Sequence, residues 1–424
     1  MSQRPPGDMP AEEARRLLHA TADWIATFLE KAGELPVFPS LTPGDIAAAL
    51  PAQAPEQGEE MTTVLADFES QILPGMTHWN HPGFLAYFAT TASAPGILGE
   101  MLASTMNSQG MLWRTAPAAT ELEQVVLAWL WQLLGLAGHC FGMIHDTAST
   151  STLHAIAAAR EALDDLDVRS RGLSGAPPLV VYCSGQAHSS VDKAAITLGV
   201  GHDNVHKIDV DEQLRMKPSA LEAAIGADLL AGKRPFCVVA TVGTTSTTAV
   251  DPVPDIAEIC RRRRLWLHVD AAYGGSAAIV PEMRYVLAGC DRADSLVVNP
   301  HKWLFVPLDL SAFYCRQPET LRRAFNVVPE VLRSAEETDP RAVNFNEYGV
   351  PLGRRFRALK LWFVLRYFGR AGLIANIREH LRLAREFAKR LAEHSDFELM
   401  APVLFSTVCF RFRPVGIGEG PLER

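Results

Sequence analysis

Two side chains in this sequence suit the same chemistry. Lys302 stands in Asn299-Pro300-His301-Lys302-Trp303, and Asp270 in His268-Val269-Asp270-Ala271-Ala272-Tyr273-Gly274-Gly275. A lysine amine forms a Schiff base with an aldehyde cofactor. A carboxylate holds a proton on a pyridine nitrogen, which makes pyridoxal phosphate (PLP) an electron sink. Apolar, strand-like runs at 265–269 and 295–298 precede the two motifs, so both residues are expected just beyond strand ends. In open α/β sheets, sites lie outside the carboxyl ends of the strands. Alone, Lys302 reads as a surface lysine and Asp270 as a turn cap; the two motifs together favour a PLP site.

Other residues could complete such a site. Thr147, Ala148 and Ser149 precede an expected helix over 154–163. Hydroxyls and N–H groups at a helix start bind anions such as phosphate, although Ser and Thr are also ordinary caps. Thr244 and Thr245 follow a strand-like run at 236–242 and Gly243, where simple turn chemistry is the plainer alternative. His188, in Gln186-Ala187-His188-Ser189-Ser190-Val191, follows a run at 179–183. Its imidazole could stack on a flat cofactor and help position a substrate carboxylate. The four arginines at 261–264 read instead as the water-facing end of a helix, where cations complement the dipole.

The elements that must position these groups follow from patterning. Residues 11–32 carry Leu17, Leu18, Ala22, Ile25 and Leu29 at helical spacing, and a Pro-rich connector leads to a short helix over 46–50. Residues 1–85 therefore read as an N-terminal helical arm of the kind that buries itself on a second subunit. Thr120 and Glu123 have capping-box spacing and predict a helix from 120 to about 134. Short apolar runs at 179–183, 236–242, 265–269, 295–298 and 312–315 then alternate with helical segments. That alternation predicts an α/β domain over 86–375 with a mostly parallel sheet covered on both faces. A helix-rich segment at 354–390 leads into residues 376–424, a small C-terminal domain with a strand at 403–412.

Bulk properties narrow the function. The chain has 424 residues, 48% of them hydrophobic, which supports a large core. The net charge of −8, without a long basic block, gives nucleic-acid binding no electrostatic support. The polar start, residues 1–10, lacks signal-peptide pattern, and no apolar stretch suits a membrane span. Seven scattered cysteines without a CxxC pair predict reduced thiols, a cytoplasmic protein and no metal site.

These motifs resemble the group II PLP-dependent decarboxylases, the family of aromatic-L-amino-acid decarboxylase. The likeness covers nearly the whole chain. It rests on His78-Trp79-Asn80-His81-Pro82, Ala86-Tyr87-Phe88, Thr120-Glu121-Leu122-Glu123, the segments around His188, Asp270 and Lys302, and Pro351-Leu352-Gly353-Arg354-Arg355-Phe356-Arg357. The resemblance implies fold type I, the aspartate-aminotransferase-like architecture, and a homodimer with sites at the interface. Residue by residue it implies Lys302 as the Schiff-base lysine and Asp270 as partner of the pyridine nitrogen. Ala272 would lie against one ring face and His188 against the other. Ala148, Ser149, Thr245, Asn299 and His301 match phosphate-side contacts. Trp79 matches an aromatic wall of the substrate pocket, Thr90 a position near substrate or cofactor, and Gln109 and Met111 further pocket positions. The implied reaction converts an L-amino acid, aromatic or similar, to CO2 and the amine through an external aldimine and a quinonoid.

Three departures qualify this expectation. A loop tyrosine that protonates the carbanion in the family is replaced by Val331, in Val328-Pro329-Glu330-Val331-Leu332. Related aldehyde synthases also replace that tyrosine, so an oxidative, aldehyde-forming reaction is the closest rival, with His188, Tyr348 or water as other proton donors. Gln109 and Met111 stand where the animal enzymes are apolar or aromatic, which questions a catecholamine-type or indolamine-type substrate. Family members continue past the point matching Arg424, so a partial C-terminal domain, an incompletely paired strand at 403–412 and marginal stability are expected. A weakly active PLP-binding homologue is the rival from another class.

Overall fold

Seven short apolar runs form one sheet in the computed structural model, which describes residues 8–88, 90, 92–327, 339 and 341–414. In chain order the strands are β1 (Phe141–His145), β2 (Leu179–Ser184), β3 (Val205–Ile208), β4 (Arg234–Thr241), β5 (Trp266–Asp270), β6 (Ser295–Val298) and β7 (Ser311–Cys315). Their order across the sheet is β1-β7-β6-β5-β4-β2-β3. The pairs β2/β3, β2/β4, β4/β5 and β5/β6 are parallel. β7 is antiparallel to both β6 and β1, so β1 runs in the same sense as β6. One strand of the sheet is thus reversed. The carboxyl ends of β1, β2, β4, β5 and β6 share one edge with the start of β7.

Every residue of β2, β5, β6 and β7 is buried, as suits strands covered on both faces. One core cluster joins Ile156 and Ala159 of the helix Ala148–Glu161 to Val181, Phe236 and Phe313 of the sheet. Burying a side chain of this size stabilises by about 1.5–3 kcal/mol. The mostly parallel α/β expectation therefore holds. β1 and β3 are additions to it. Both lie at sheet edges, and the polar centre of β3, His206-Lys207, hides its periodicity.

Several element boundaries differ from expectation. The helix predicted from Thr120 begins at Pro117 and runs to Leu133. Proline at its first position needs no N–H partner, and Thr120 returns its hydroxyl to the carbonyls of Ala116 and Pro117. The Thr120/Glu123 spacing is therefore no capping box. The helix expected at 154 starts at Ala148. Residues 403–409 form no strand; only Phe410–Phe412 pairs, antiparallel with Phe397–Leu399. The C-terminal helical segment is one element, Ala358–Ala392, broken at Gly369 by a φ of 57°.

Residues 1–90 and 91–424 separate into two units by their contacts. In the first, the amphipathic helix Ala11–Lys31 stacks Trp24 on Phe28 at 5.3 Å and meets Phe68 with its indole edge at 5.4 Å. Among the described residues no helix is long and apolar enough to cross a membrane.

Candidate active site

The site residues collect where the strand ends converge. Asp270 is the last residue of β5, in register with Thr241 of β4 and Val297 of β6. The chain beyond it still follows the ladder: Ala271 N–H reaches Val297 O at 3.0 Å, and Asn299 N–H reaches Ala272 O at 3.0 Å. Asp270 is buried, and its Oδ1 accepts the Ala272 N–H at 3.0 Å. Lys302 lies in the short helix Pro300–Trp303 just after β6. Burial lowers the pKa of its amine, and the neighbouring Asp270 carboxylate works the other way. A lowered pKa raises the share of neutral, nucleophilic amine at neutral pH.

His188 follows β2 at the exposed rim of the same edge. Its Nδ1 accepts the Ser190 N–H at 3.1 Å. Desolvation lowers its pKa, Asp270 raises it and Lys302 lowers it again. Lys302, Asp270 and His188 thus lie within one another's electrostatic reach, from three separate strands.

The residues expected on a phosphate side lie along this edge as well. Thr147 caps the helix Ala148–Glu161, so Ala148 and Ser149 form its first turn rather than a loop before it. Asp146 takes the Thr147 N–H at 2.7 Å, and the Ser149 side remains exposed. Thr244 and Thr245 divide their roles. Thr244 is buried and bonds Thr247 and the Ala249 N–H, which is turn chemistry, whereas Thr245 is exposed. His301 is buried with a pKa lowered to about 4, chiefly by desolvation, and is neutral at pH 7. Its Nδ1 accepts the Leu310 N–H at 2.9 Å, which leaves the hydrogen on Nε2. That donor faces the Asn299 side-chain amide at 3.3 Å. The Asn299 Oδ1 is buried and has no hydrogen-bond partner among the described residues.

Together these residues fit PLP on their chemistry. Lys302 offers an amine for the aldehyde, Asp270 a buried carboxylate for the ring nitrogen, and the start of Ala148–Glu161 with Ser149 and Thr245 offers donors for a phosphate. The orphaned amide of Asn299 is the kind of buried polar group that a bound molecule satisfies.

On the substrate side, Gln109 is not simply a polar wall. Its Oε1 accepts the Arg354 N–H at 2.6 Å, and Gly110 N–H reaches Arg354 O at 2.9 Å. Met111 is partly buried and its carbonyl accepts the Asn346 N–H at 3.2 Å. Trp79 and Thr90 belong to the first unit, where Trp79 is 39% exposed and packs against Phe84 at 4.6 Å. Val331 lies outside the described residues. Tyr348 is partly buried, packed 4.6 Å from Phe141.

Two residues missed as structural anchors are Glu123 and Arg354. Arg354 Nη2 meets Glu123 Oε1 at 2.5 Å and Ile144 O at 3.2 Å, with its guanidinium 4.4 Å from the Phe345 ring. Their signal was present in the sequence as a carboxylate within an apolar helix and an arginine in a glycine-led loop, but nothing in the spacing pairs them.

Known proteins share this arrangement. Residues 43–413 match the family described as the pyridoxal-dependent decarboxylase conserved domain. The chain is 40% identical over 421 residues to tyrosine decarboxylase 4 of Petroselinum crispum, covering 97% of this chain and 82% of the relative. It is 39% identical to phenylacetaldehyde synthase of Arabidopsis thaliana over 415 residues, covering 96% and 84%. Among solved structures, Oryza sativa TDC with PLP and tryptamine superposes with a TM-score of 0.92 at 37% identity, covering 96% of this chain and 85% of that one.

Proposed function

The chain belongs to the family of pyridoxal-dependent decarboxylases, enzymes that use PLP, and from that premise we propose that it decarboxylates an aromatic or similar L-amino acid to its amine. The observation that carries this reading is the mutual electrostatic reach of Lys302, Asp270 and His188 at one sheet edge. Lys302 would hold the cofactor through its amine and return to that role when product leaves. Asp270 would keep a proton on the ring nitrogen, with Ala272 and His188 covering the two ring faces. Ala148, Ser149, Thr245, Asn299 and His301 would bind the phosphate. Bound there, PLP supplies the sink for the electron pair left at Cα when CO2 departs.

Thr90, Trp79, Gln109 and Met111 would shape the substrate pocket. Gln109 spends its carbonyl on Arg354 N–H, so its amide N–H2 is the part free to meet a polar substituent. His188, close to Lys302 and Asp270, would orient the substrate carboxylate and could move a proton to Cα. We read the enzyme as a cytoplasmic homodimer. Its plan would be a helical arm (1–85), a large cofactor domain (86–375) and a small C-terminal part (376–424).

A second reading is favoured by one residue. Valine at 331 carries no proton to give, and the relatives include an aldehyde synthase as well as decarboxylases. In that case the enzyme would convert the amino acid with O2 and water to CO2, aldehyde, ammonia and hydrogen peroxide. Incubation of PLP-loaded protein with single amino acids in air, with CO2, amine, aldehyde and peroxide quantified together, separates the two. CO2 matched by amine supports the decarboxylase; CO2 matched by aldehyde and peroxide supports the synthase. No CO2 from any amino acid defeats both and leaves a PLP-binding homologue.

A further inference from the structure

Three loops leave the carboxyl edge with the residues assigned to the cofactor. The loop after β4 carries Gly243 and Thr245, the loop after β5 carries Ala272 to Gly274, and the turn after β6 carries Lys302 and Trp303. One side chain from far along the sequence meets all three. Phe405 is 1% exposed, although its segment forms no regular element. Its ring stands edge-on to Trp303, at 6.1 Å and 82°, and to Tyr273, at 6.1 Å and 87°. Trp303 and Tyr273 stack on each other at 5.1 Å.

Phe405 Cζ and Cε2 also lie against the backbone of two glycines. A Cβ on Gly274 would stand 2.9 Å from Phe405 Cζ and 2.6 Å from Val242 O. A Cβ on Gly243, whose φ is +91°, would lie 3.5 Å from Phe405 Cε2 and 3.0 Å from Gly274 N. Glycine at both positions lets the β4 and β5 loops close on each other, and glycine at 274 also lets the β5 loop close on this ring. The residues after Phe405 add polar anchors. Thr407 Oγ1 donates to the Tyr273 hydroxyl at 3.1 Å, and that hydroxyl shares a second hydrogen bond with the Ser406 hydroxyl.

We propose that Phe405 is a positioning residue for the cofactor site, wedging the loops of Thr245, Ala272 and Lys302 into one geometry from behind. The proposal rests on the PLP reading above. An edge-on aromatic ring makes specific contact with two other rings and two glycine faces at once, which an aliphatic side chain does not reproduce. Removing it leaves a cavity under three loops that carry cofactor contacts, and loops lacking such support lose the geometry that binding requires. Outer-shell partners of metal ligands change metal affinity by about 10–100-fold when mutated, and an effect of the same order is expected for this support of the cofactor loops.

The test titrates apo wild type, Phe405→Leu and Phe405→Ala with PLP. It follows the visible band of the Lys302 Schiff base and the thermal unfolding of apo and loaded protein. The expected result is PLP affinity weakened about 10–100-fold in Phe405→Ala and less in Phe405→Leu. At saturating PLP the band returns and the substrate KM stays within about twofold of wild type. A merely structural role predicts equal loss of apo and loaded stability with unchanged PLP affinity, and that result overturns the proposal. If Phe405→Ala does not fold, Phe405→Leu decides alone: unchanged PLP affinity there refutes the wedge. A wild-type chain with no band that disappears in Lys302→Ala refutes the PLP reading itself, and the Phe405 proposal with it.

Discussion

Glu123 and Arg354 form a buried ion pair that closes on the two outward-facing backbone groups of Ile144. Glu123 Oε1 accepts the Ile144 N–H at 2.7 Å, and Arg354 donates to the Ile144 carbonyl at 3.2 Å. Among the described residues β1 is an edge strand, paired only with β7, and these groups have no strand neighbour. The ion pair takes the place of a further strand. It also ties β1, which leads into Ala148 and Ser149, to Gln109 through the Arg354 backbone.

Removing one partner of this pair should be costly. Glu123→Leu leaves a buried, uncompensated guanidinium and an unpaired N–H, and breaking a buried pair costs about 3–5 kcal/mol. The double variant Glu123→Leu/Arg354→Met should recover part of that loss. Urea denaturation of the two variants checks both statements. Additive losses would mean that the pair is not coupled.

The buried histidines make the fold sensitive to acid. His154, His268 and His301 are each held down to about 4, mainly by burial. A histidine whose folded pKa is depressed binds its proton more readily when unfolded, so stability is full above about 6.5 and is lost as pH falls toward 4. Asp251, raised to about 6 by burial, acts in the opposite sense, losing its contribution as pH rises through 6. His145 is lowered by burial as well and Asp294 is raised by burial, so the histidines outnumber the aspartates and unfolding free energy should decline between about pH 6.5 and 4. Thermal melts across that range would contradict this if they were flat.

Lys302 should control cofactor loading in two ways. Lys302→Ala should abolish the Schiff-base absorption while the protein stays folded. In the wild type, the rate at which apo protein takes up PLP should rise with pH, because the neutral amine attacks. The midpoint should fall below the 10.5 of a free lysine, since burial lowers this amine's pKa. A midpoint at or above the free value would remove the argument for an activated amine. Asp270→Asn should retain PLP but lose activity by about 10²–10³-fold, as when a group that stabilises transition-state charge is removed.

Val331→Tyr tests the proton donor. If the natural product is an aldehyde, the variant should divert carbon to the amine and lower peroxide per CO2. If the product is already the amine, turnover should rise, because a missing general acid commonly costs about 10²–10⁴-fold. Unchanged products and rate would show that this position has no part in protonation, and would point to His188 or Tyr348.

Much of this was legible before the structure. The apolar runs gave five strands of the sheet, because strands buried on both faces must be continuously hydrophobic. Lys302 follows β6 as expected, whereas Asp270, expected just beyond a strand, is the last residue of β5. The failures have physical causes too. Thr120 and Glu123 share the spacing of a capping box, but Pro117 starts the helix earlier, and Glu123 serves a distant strand. Within the apolar run 403–412 only Phe410–Phe412 pairs as a strand, while Phe405 is buried against the loop glycines instead. Long-range partners such as Glu123 with Arg354 leave no periodic trace, since they depend on how the chain returns.

The reversed strand has a consequence for the newly made chain. Among the described residues β1 takes its register on β7 alone, Phe141 opposite Cys315 and His145 opposite Ser311. During synthesis β1 leaves the ribosome early and waits for most of the domain before its partner exists. Until then the start of the helix beginning at Ala148 lacks its anchor on β7, the Ser151–Ser311 hydrogen bond, although its body already packs on Val181 and Phe236. Cofactor capture is therefore expected to be a late event in biogenesis, and nascent chains stopped before residue 311 should neither bind PLP nor resist proteolysis.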